Sequence, residues 1–265
     1  MRSLPRLMVA PNGARKTKAD HPALPITLEE TVATAVACHA AGAQGAHLHV
    51  RDAHGHHVLD AGLYRELLSE MHNAVPNMMC QITTEAVGRY TAAQQRQLVD
   101  AVQPKCVSIS LAEMLSDGDT PQATRFYAKC KEADISVQHI LYDAHDLRVL
   151  SDLLANEALA TDDLQVLFVL GRYSEHQEST PQDLGIFTQW LGAFETAPDW
   201  AVCAFGKQET ACLTEALRLG GKIRVGFENS FWNANGTIAN SNSERVAEMN
   251  RIVQNLGPHS SSFPS

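Results

Sequence analysis

Short apolar runs alternate with longer amphipathic stretches along the whole of this chain. The first run, LMVAP at 7–11, has the length and composition of a strand. A helix follows from Thr27 to about Gly42, where Glu30 completes a capping box on Thr27. The same beat recurs. GAHLHVR (45–51) precedes a helix near 60–74, and MMCQITT (78–84) precedes one near 92–102 that Thr91 and Gln94 open in the same way. CVSISL (106–111) precedes a helix near 121–133, SVQHILY (136–142) one near 145–158, and QVLFVLG (165–171) one near 181–194. WAVCAFG (200–206) leads to a helix near 208–219 that stops at Gly220-Gly221, and KIRVGFE (222–228) leads to the last, near 243–255.

The pattern predicts eight strand–helix units. Strands this apolar, separated by helices, belong to parallel sheets covered on both faces. Eight units in 265 residues predict an α/β fold of the (β/α)8, or TIM, barrel type, as a single domain over 1–265. A doubly wound open sheet is the second choice. No linker, repeat or low-complexity tract interrupts the pattern, and only the tail GPHSSSFPS looks loose.

Composition removes several classes of function. The chain is 45% hydrophobic and 19% charged, as ordinary globular proteins are. Its formal net charge of −9, with no basic stripe, argues against a nucleic-acid partner. Six scattered cysteines without CxxC spacing read as reduced thiols rather than a disulfide set. The opening MRSLPRLMVAPNG is broken by Pro5, Arg6 and Pro11, unlike a signal peptide, and no apolar run has the length of a membrane span. A cytoplasmic location without a membrane partner is the expectation.

In such a barrel the active site lies at the C-terminal ends of the strands. The unusual polar residues of this chain fall there. Strand 1 runs into Asn12 and Arg15; strand 2 ends in His47, His49 and Arg51; strand 3 ends in Thr83, Thr84 and Glu85. Strand 4 carries Ser108 and Ser110, and strand 8 carries Arg224 and ends in Glu228 and Asn229. Residues i and i+2 of a strand point to one side, so His47 and His49 can grip one object. Two core histidines bonded to neighbours would be the bland alternative. Two imidazoles at the functional end of a strand favour a metal, and imidazole suits zinc, which in catalytic sites takes three protein ligands. Glu228 can supply the third by leaning over strand 1. His139 on strand 5 is a further candidate, unless it faces the helices. His54, His56 and His57 read as a solvated turn and His21 as a residue that shapes a loop. No Walker A, GxGxxG or GxSxG element occurs.

These residues lie in longer stretches that resemble the β-keto acid cleavage enzyme family over nearly the whole chain. The resemblance is carried by APNGA and HPALPIT near the start, AGAQGAHLHVRD at strand 2, QITT at strand 3, and GGKIRVGFEN followed by SN at 241–242. It implies a (β/α)8 barrel in a homotetramer, with zinc on His47, His49 and Glu228. It also implies condensation of a β-keto acid with acetyl-CoA as co-substrate, giving acetoacetate and a new acyl-CoA. Thr83 or Thr84 and Ser110 match the hydroxyls that hold substrate, and Arg224 matches an arginine that works with an aspartate.

The chain departs from the family pattern in three places. The aspartate, the presumed base, is Asn229, and an amide takes no proton at neutral pH. The residue aligned with an acidic reader of the substrate side chain is Arg15, which predicts a keto acid with a second anionic group; contact with a CoA phosphate is the competing reading. The usual TTGG after strand 3 is TTEAVG, which makes Glu85 the candidate replacement base; pairing with Arg89 is its bland alternative. Two other functions compete. One is a zinc hydrolase on the same barrel, although those enzymes carry HxH on the first strand. The other is a non-catalytic binder of keto acid or CoA, motivated by Asn229.

Overall fold

The structure is a computed structural model that describes residues 3–257. The part of the tail expected to be loose that follows Gly257 lies outside the described residues. Eight strands form a closed parallel barrel in the order β1 to β8. They are β1 (Leu7–Val9), β2 (Gly45–Leu48), β3 (Met79–Thr83), β4 (Cys106–Ser110), β5 (Ser136–Leu141), β6 (Gln165–Leu170), β7 (Asp199–Ala204) and β8 (Lys222–Val225). Met8 pairs with Gly45 on one side and with Arg224 on the other, which closes the ring and rules out the open sheet.

The helices are α1 (Leu28–Ala40), α2 (Ala61–Ala74), α3 (Ala92–Val102), α4 (Leu111–Met114), α5 (Thr120–Glu132), α6 (Ala144–Ala155), α7 (Gly185–Leu191), α8 (Glu209–Arg218) and α9 (Asn242–Leu256). Both expected capping boxes form: Thr27 Oγ1 accepts from the Glu30 amide at 3.2 Å and Thr91 Oγ1 from the Gln94 amide at 3.3 Å. Two elements differ from the sequence pattern. The helix expected over 181–194 is a 3-10 turn, Pro181–Leu184, that runs into the short α7, because Asp183 turns back to cap Thr180. The one-turn α4 follows β4 directly, opened by the Ser110 hydroxyl. Four residues are too few to show helical periodicity.

Strand residues alternate between two environments. Ala46, Leu48, Ile82, Val107, Ile109, Val166, Phe168, Val202 and Val225 face outward into the core between barrel and helices. Ile140, Leu167, Val169, Ala201, Cys203 and Phe205 fill the inside of the barrel on the β5–β7 side. On the β2–β4 side the inward positions are His47, His49, Gln81, Thr83, Ser108 and Ser110, and all six are buried. Among the described residues no helix is long and apolar enough to cross a membrane.

Candidate active site

A cleft opens at the C-terminal ends of the strands. Its lining includes Asn12, Arg15, His47, Thr83, Glu85, Ser110, Arg224 and Glu228. Eight of the thirteen strand-end residues singled out from the sequence therefore face one space, and His49 adjoins it through its ring contact with His47.

At the floor, the Nε2 atoms of His47 and His49 lie 3.1 Å apart. Glu228 Oε2 is 3.6 Å from the first and 3.4 Å from the second. Two ligands each about 2.05 Å from a tetrahedral zinc stand about 3.3 Å apart, so the three donor atoms have the spacing of a shared metal. Their chemistry agrees. Burial first, and then the Arg224 charge, holds His47 well below the ordinary histidine range, so its imidazole is neutral. Its Nδ1–H then donates to Gln81 Oε1 at 2.9 Å, which leaves the Nε2 lone pair facing the trio. Burial alone would raise the Glu228 carboxyl, but Arg224 at 3.0 Å and the two imidazoles outweigh it and hold that carboxyl well below its usual range. Its Oε2 makes no hydrogen bond among the described residues. Two imidazole nitrogens and a carboxylate oxygen converging on one point suit a cation.

The backbone around this trio is tied down. The Lys16 ammonium donates to the carbonyls of Phe227 and Glu228 at 2.9 and 3.0 Å, and burial pulls its pKa down to about 8. Asn242, in the SN pair, accepts from the Phe227 amide and donates to the Pro11 carbonyl, both at 2.9 Å. Glu209, fully buried against Arg245, accepts from the Gly226 amide at 3.3 Å. Arg51 of the HxHxRD stretch does not reach the cleft floor. Its guanidinium donates to the carbonyls of Gly13, Lys16 and Gly55 and so pins the loop after β1. Asp52 caps the turn that follows, accepting from the amides of His54 and His56 at 2.9 Å.

Two hydroxyls are oriented by the backbone. Thr83 Oγ1 accepts from the Glu85 amide at 3.0 Å and Ser110 Oγ from the Glu113 amide at 3.3 Å. With those acceptor positions filled, each O–H is left to donate into the cleft. Arg224 is buried, and its Nε and Nη1 have no hydrogen-bond partner among the described residues. Asn12 donates to the His49 carbonyl at 3.3 Å, and its Oδ1 has no hydrogen-bond partner among the described residues.

Several expected placements change. Thr84 faces away from the cleft, where its hydroxyl donates to Gln95 Oε1 of α3 at 2.9 Å; it has the opposite parity to Thr83. Ser108 lies behind the metal-ligand candidates, 3.4 Å from His47 Nδ1, rather than on the cleft wall. Asn229 is buried and is not among the cleft-lining residues. His139 faces the helices, edge-on to Tyr127 with ring centroids 4.8 Å apart, so it is no ligand. His57 is not solvated. The chain folds back through an Arg51–His57 bridge and buries its ring 5.0 Å from His49, and burial pushes its pKa down to about 3. Glu85 is not paired with Arg89; it meets Arg172 at 3.0 Å and Arg15 at 3.9 Å.

Polar cleft residues that the sequence did not single out include Lys16, Glu113, Tyr142, Arg172 and Gln177. Arg172 stands at the end of β6 and could have been found by the same strand-end rule. Glu113 sits on α4, which left no periodic trace.

Comparison with known proteins adds the context. A family model described as beta-keto acid cleavage enzyme matches residues 6–262. The chain is similar to the 3-keto-5-aminohexanoate cleavage enzyme of Fusobacterium nucleatum, 25% identical over 255 residues that cover 92% of this chain and 89% of that one. It is also similar to the 3-oxoadipate:acetyl-CoA acetyltransferase of Cupriavidus necator, 26% identical over 267 residues that cover 95% of this chain and 89% of that one. Among solved structures, ObcA in its binary complex with oxaloacetate superimposes with a TM-score of 0.70 at 16% identity. That match covers 89% of this chain and 64% of the ObcA chain, less than two thirds of it, and at this identity it shows the fold alone.

Proposed function

The chain belongs to the beta-keto acid cleavage enzyme family, and from that premise we propose that it joins a β-keto acid to acetyl-CoA and splits the product into acetoacetate and a new acyl-CoA. The observation that carries this reading is the trio His47, His49 and Glu228, whose ligand atoms all lie within 4.8 Å of one another at the cleft floor. Zinc held by these three would supply a Lewis acid that draws charge from the oxygens of the keto acid.

The chain's own residues would do the rest. The free N–H groups of Arg224 suit a substrate carboxylate or a developing oxyanion. The hydroxyls of Thr83 and Ser110 would donate to the same oxygens and fix the keto acid against the floor. A cleft carboxylate would take the proton between the carboxylate and the ketone; Glu85, named from the sequence, and Glu113 both line the cleft. The resulting carbanion would attack the thioester carbonyl and expel the CoA thiolate; the thiolate would attack the original ketone and break the bond to the new carbon unit, giving the acyl-CoA, and the protonated cleft carboxyl would return its proton to the departing acetoacetate carbanion. Arg15 and Arg172 near the Glu85 carboxylate support a keto acid with a second anionic group. The homotetramer implied by the resemblance remains part of this proposal, with molar mass in solution as its measure.

The test is acetoacetate formation from a panel of β-keto acids with acetyl-CoA and zinc-loaded protein. Formation of acetoacetate together with a new acyl-CoA is expected. Loss of a substrate ester or amide with no acyl exchange would favour the hydrolase, and binding of keto acid or CoA without turnover would favour the non-catalytic relative.

A further inference from the structure

The two imidazoles of the trio differ at their outer nitrogens. His47 Nδ1 is bonded to Gln81 at 2.9 Å, and Gln81 is fixed in turn by Gln138 at 3.0 Å. His49 Nδ1 is buried and has no hydrogen-bond partner among the described residues. An acceptor stands near it: Glu85 Oε2, at 4.0 Å.

Resting on the zinc reading above, we propose that Glu85 is the outer partner of His49: its carboxylate accepts the Nδ1 proton of the imidazole whose Nε2 serves the metal, and Arg172 holds it in place. When Nε2 gives its lone pair to a cation, the single ring proton must sit on Nδ1. A buried N–H without an acceptor is costly. Histidine ligands commonly solve this by donating to a carboxylate, which fixes the tautomer and raises the basicity of the ligand.

The surroundings of Glu85 leave one oxygen for this task. Its amide donates to Thr83 Oγ1 and its carbonyl accepts from His57 Nε2, each at 3.0 Å, so the backbone is anchored on both sides. Arg172, from the far side of the barrel mouth, donates to Oε1 at 3.0 Å. Oε2 is the oxygen left over, and it is the one nearest His49. A hydrogen bond needs about 2.8–3.0 Å, so a shift of about 1 Å in the side-chain torsions closes the contact.

This placement also bears on the proton acceptor. Glu85 lines the cleft, but an Oε2 that accepts from His49 Nδ1 and an Oε1 that accepts from Arg172 leave its carboxylate committed on both oxygens and not free to take a substrate proton. Glu85 is then a positioning residue, peculiar to a chain with TTEAVG after β3, and Glu113 is the carboxylate left to face the bound keto acid.

Zinc affinity, measured by competition with a chromophoric chelator, tests the proposal without recourse to turnover. Glu85→Ala should bind zinc about 10- to 100-fold more weakly than the parent, the usual loss for an outer partner. Glu85→Gln, whose amide oxygen still accepts from Nδ1, should recover most of that affinity, although it has lost any basic site. In the cobalt-substituted protein, the visible absorption of Glu85→Ala should shift and that of Glu85→Gln should stay near the parent. Equal zinc affinity in the parent and in Glu85→Ala overturns the proposal. So does Glu85→Gln that keeps affinity and the cobalt spectrum while Glu85→Ala, folded by circular dichroism, also keeps both. A parent protein that binds no zinc overturns the functional reading itself, and with it this inference.

Discussion

The inside of the barrel is divided. On the β5–β7 side, Ile140, Leu167, Val169, Ala201, Cys203 and Phe205 pack as any barrel core does. On the opposite side, His47, His49, Gln81, Thr83, Ser108 and Ser110 occupy equivalent inward positions, and Arg224 of β8 joins them. The first half gives up no polar group to solvent and gains stability from burial. The second buries imidazoles, amides, hydroxyls and a guanidinium, and atoms of His49 and Arg224 there have no hydrogen-bond partner among the described residues. Buried polar groups without partners cost stability, so this half has been kept for chemistry at the expense of packing. The two halves should therefore fail in opposite ways when cut.

The largest effect is expected in the polar half. His49→Ala should lose bound zinc and all turnover, with little change in the thermal midpoint, because the lost ring packs mainly against other polar groups. Elemental analysis of the purified variant checks the first part. Full zinc occupancy in His49→Ala would remove the metal assignment and, with it, the basis of the contrast.

Leu167→Ala is the counterpart in the apolar half. Leu167 has no exposed surface, so truncation leaves a cavity and should cost about 2–5 kcal/mol by urea titration. Zinc per folded chain should stay at the parent value. A large loss of zinc in this variant would mean that the halves are coupled.

Gly13→Ala tests how tightly the polar half is built. Gly13 has φ +60°, and a Cβ there would lie 2.6 Å from Glu228 Cγ. The substitution costs about 1–2 kcal/mol for the left-handed backbone alone, and it must also push the carboxylate ligand. Zinc affinity should fall by about tenfold or more, on the scale seen when ligand support is lost. Gly88, with φ +74° and no atom near its missing Cβ, is the control. Gly88→Ala should show the backbone cost and keep the zinc affinity.

The legibility of the sequence follows the same division. The barrel was readable because eight apolar runs must alternate with helices to cover both faces of a parallel sheet. His47, His49 and Glu228 were readable because buried charge-bearing residues at strand ends are rare without a task. Thr84 was misplaced although parity was available: Thr83 shares its side of β3 with Gln81, and Thr84 has the other. His57 was unreadable, because its burial depends on a long-range bridge to Arg51 and on the Glu85 carbonyl that it bonds. Arg172 lay within reach of the strand-end rule, but its pairing with Glu85 was not legible, because it needs the closed barrel to set the end of β6 across from that of β3.

The smallest predicted effect concerns Glu113, at the rim of the polar half. Burial raises its carboxyl pKa to about 7, partly countered by the Ala86 amide it accepts from; nearby Glu85 raises it further, and Arg172 and Arg15 lower it. A carboxyl raised in the folded state keeps its proton after the unfolded chain, with a value near 4.5, has released its own. Between those two values the folded state binds more protons than the unfolded state, so stability falls as pH rises and then levels off above about 7. Glu209, raised to about 7 by burial, adds a slope of the same sign from the far side of the β8 loop. Glu113→Gln should remove only its own share. The variant's urea midpoint should lie near the parent's at the lower end of the window and exceed it at the upper end. An unchanged slope would place Glu113 in solvent, ending the polar half at Ser110, and would withdraw Glu113 as the carboxylate that faces the substrate.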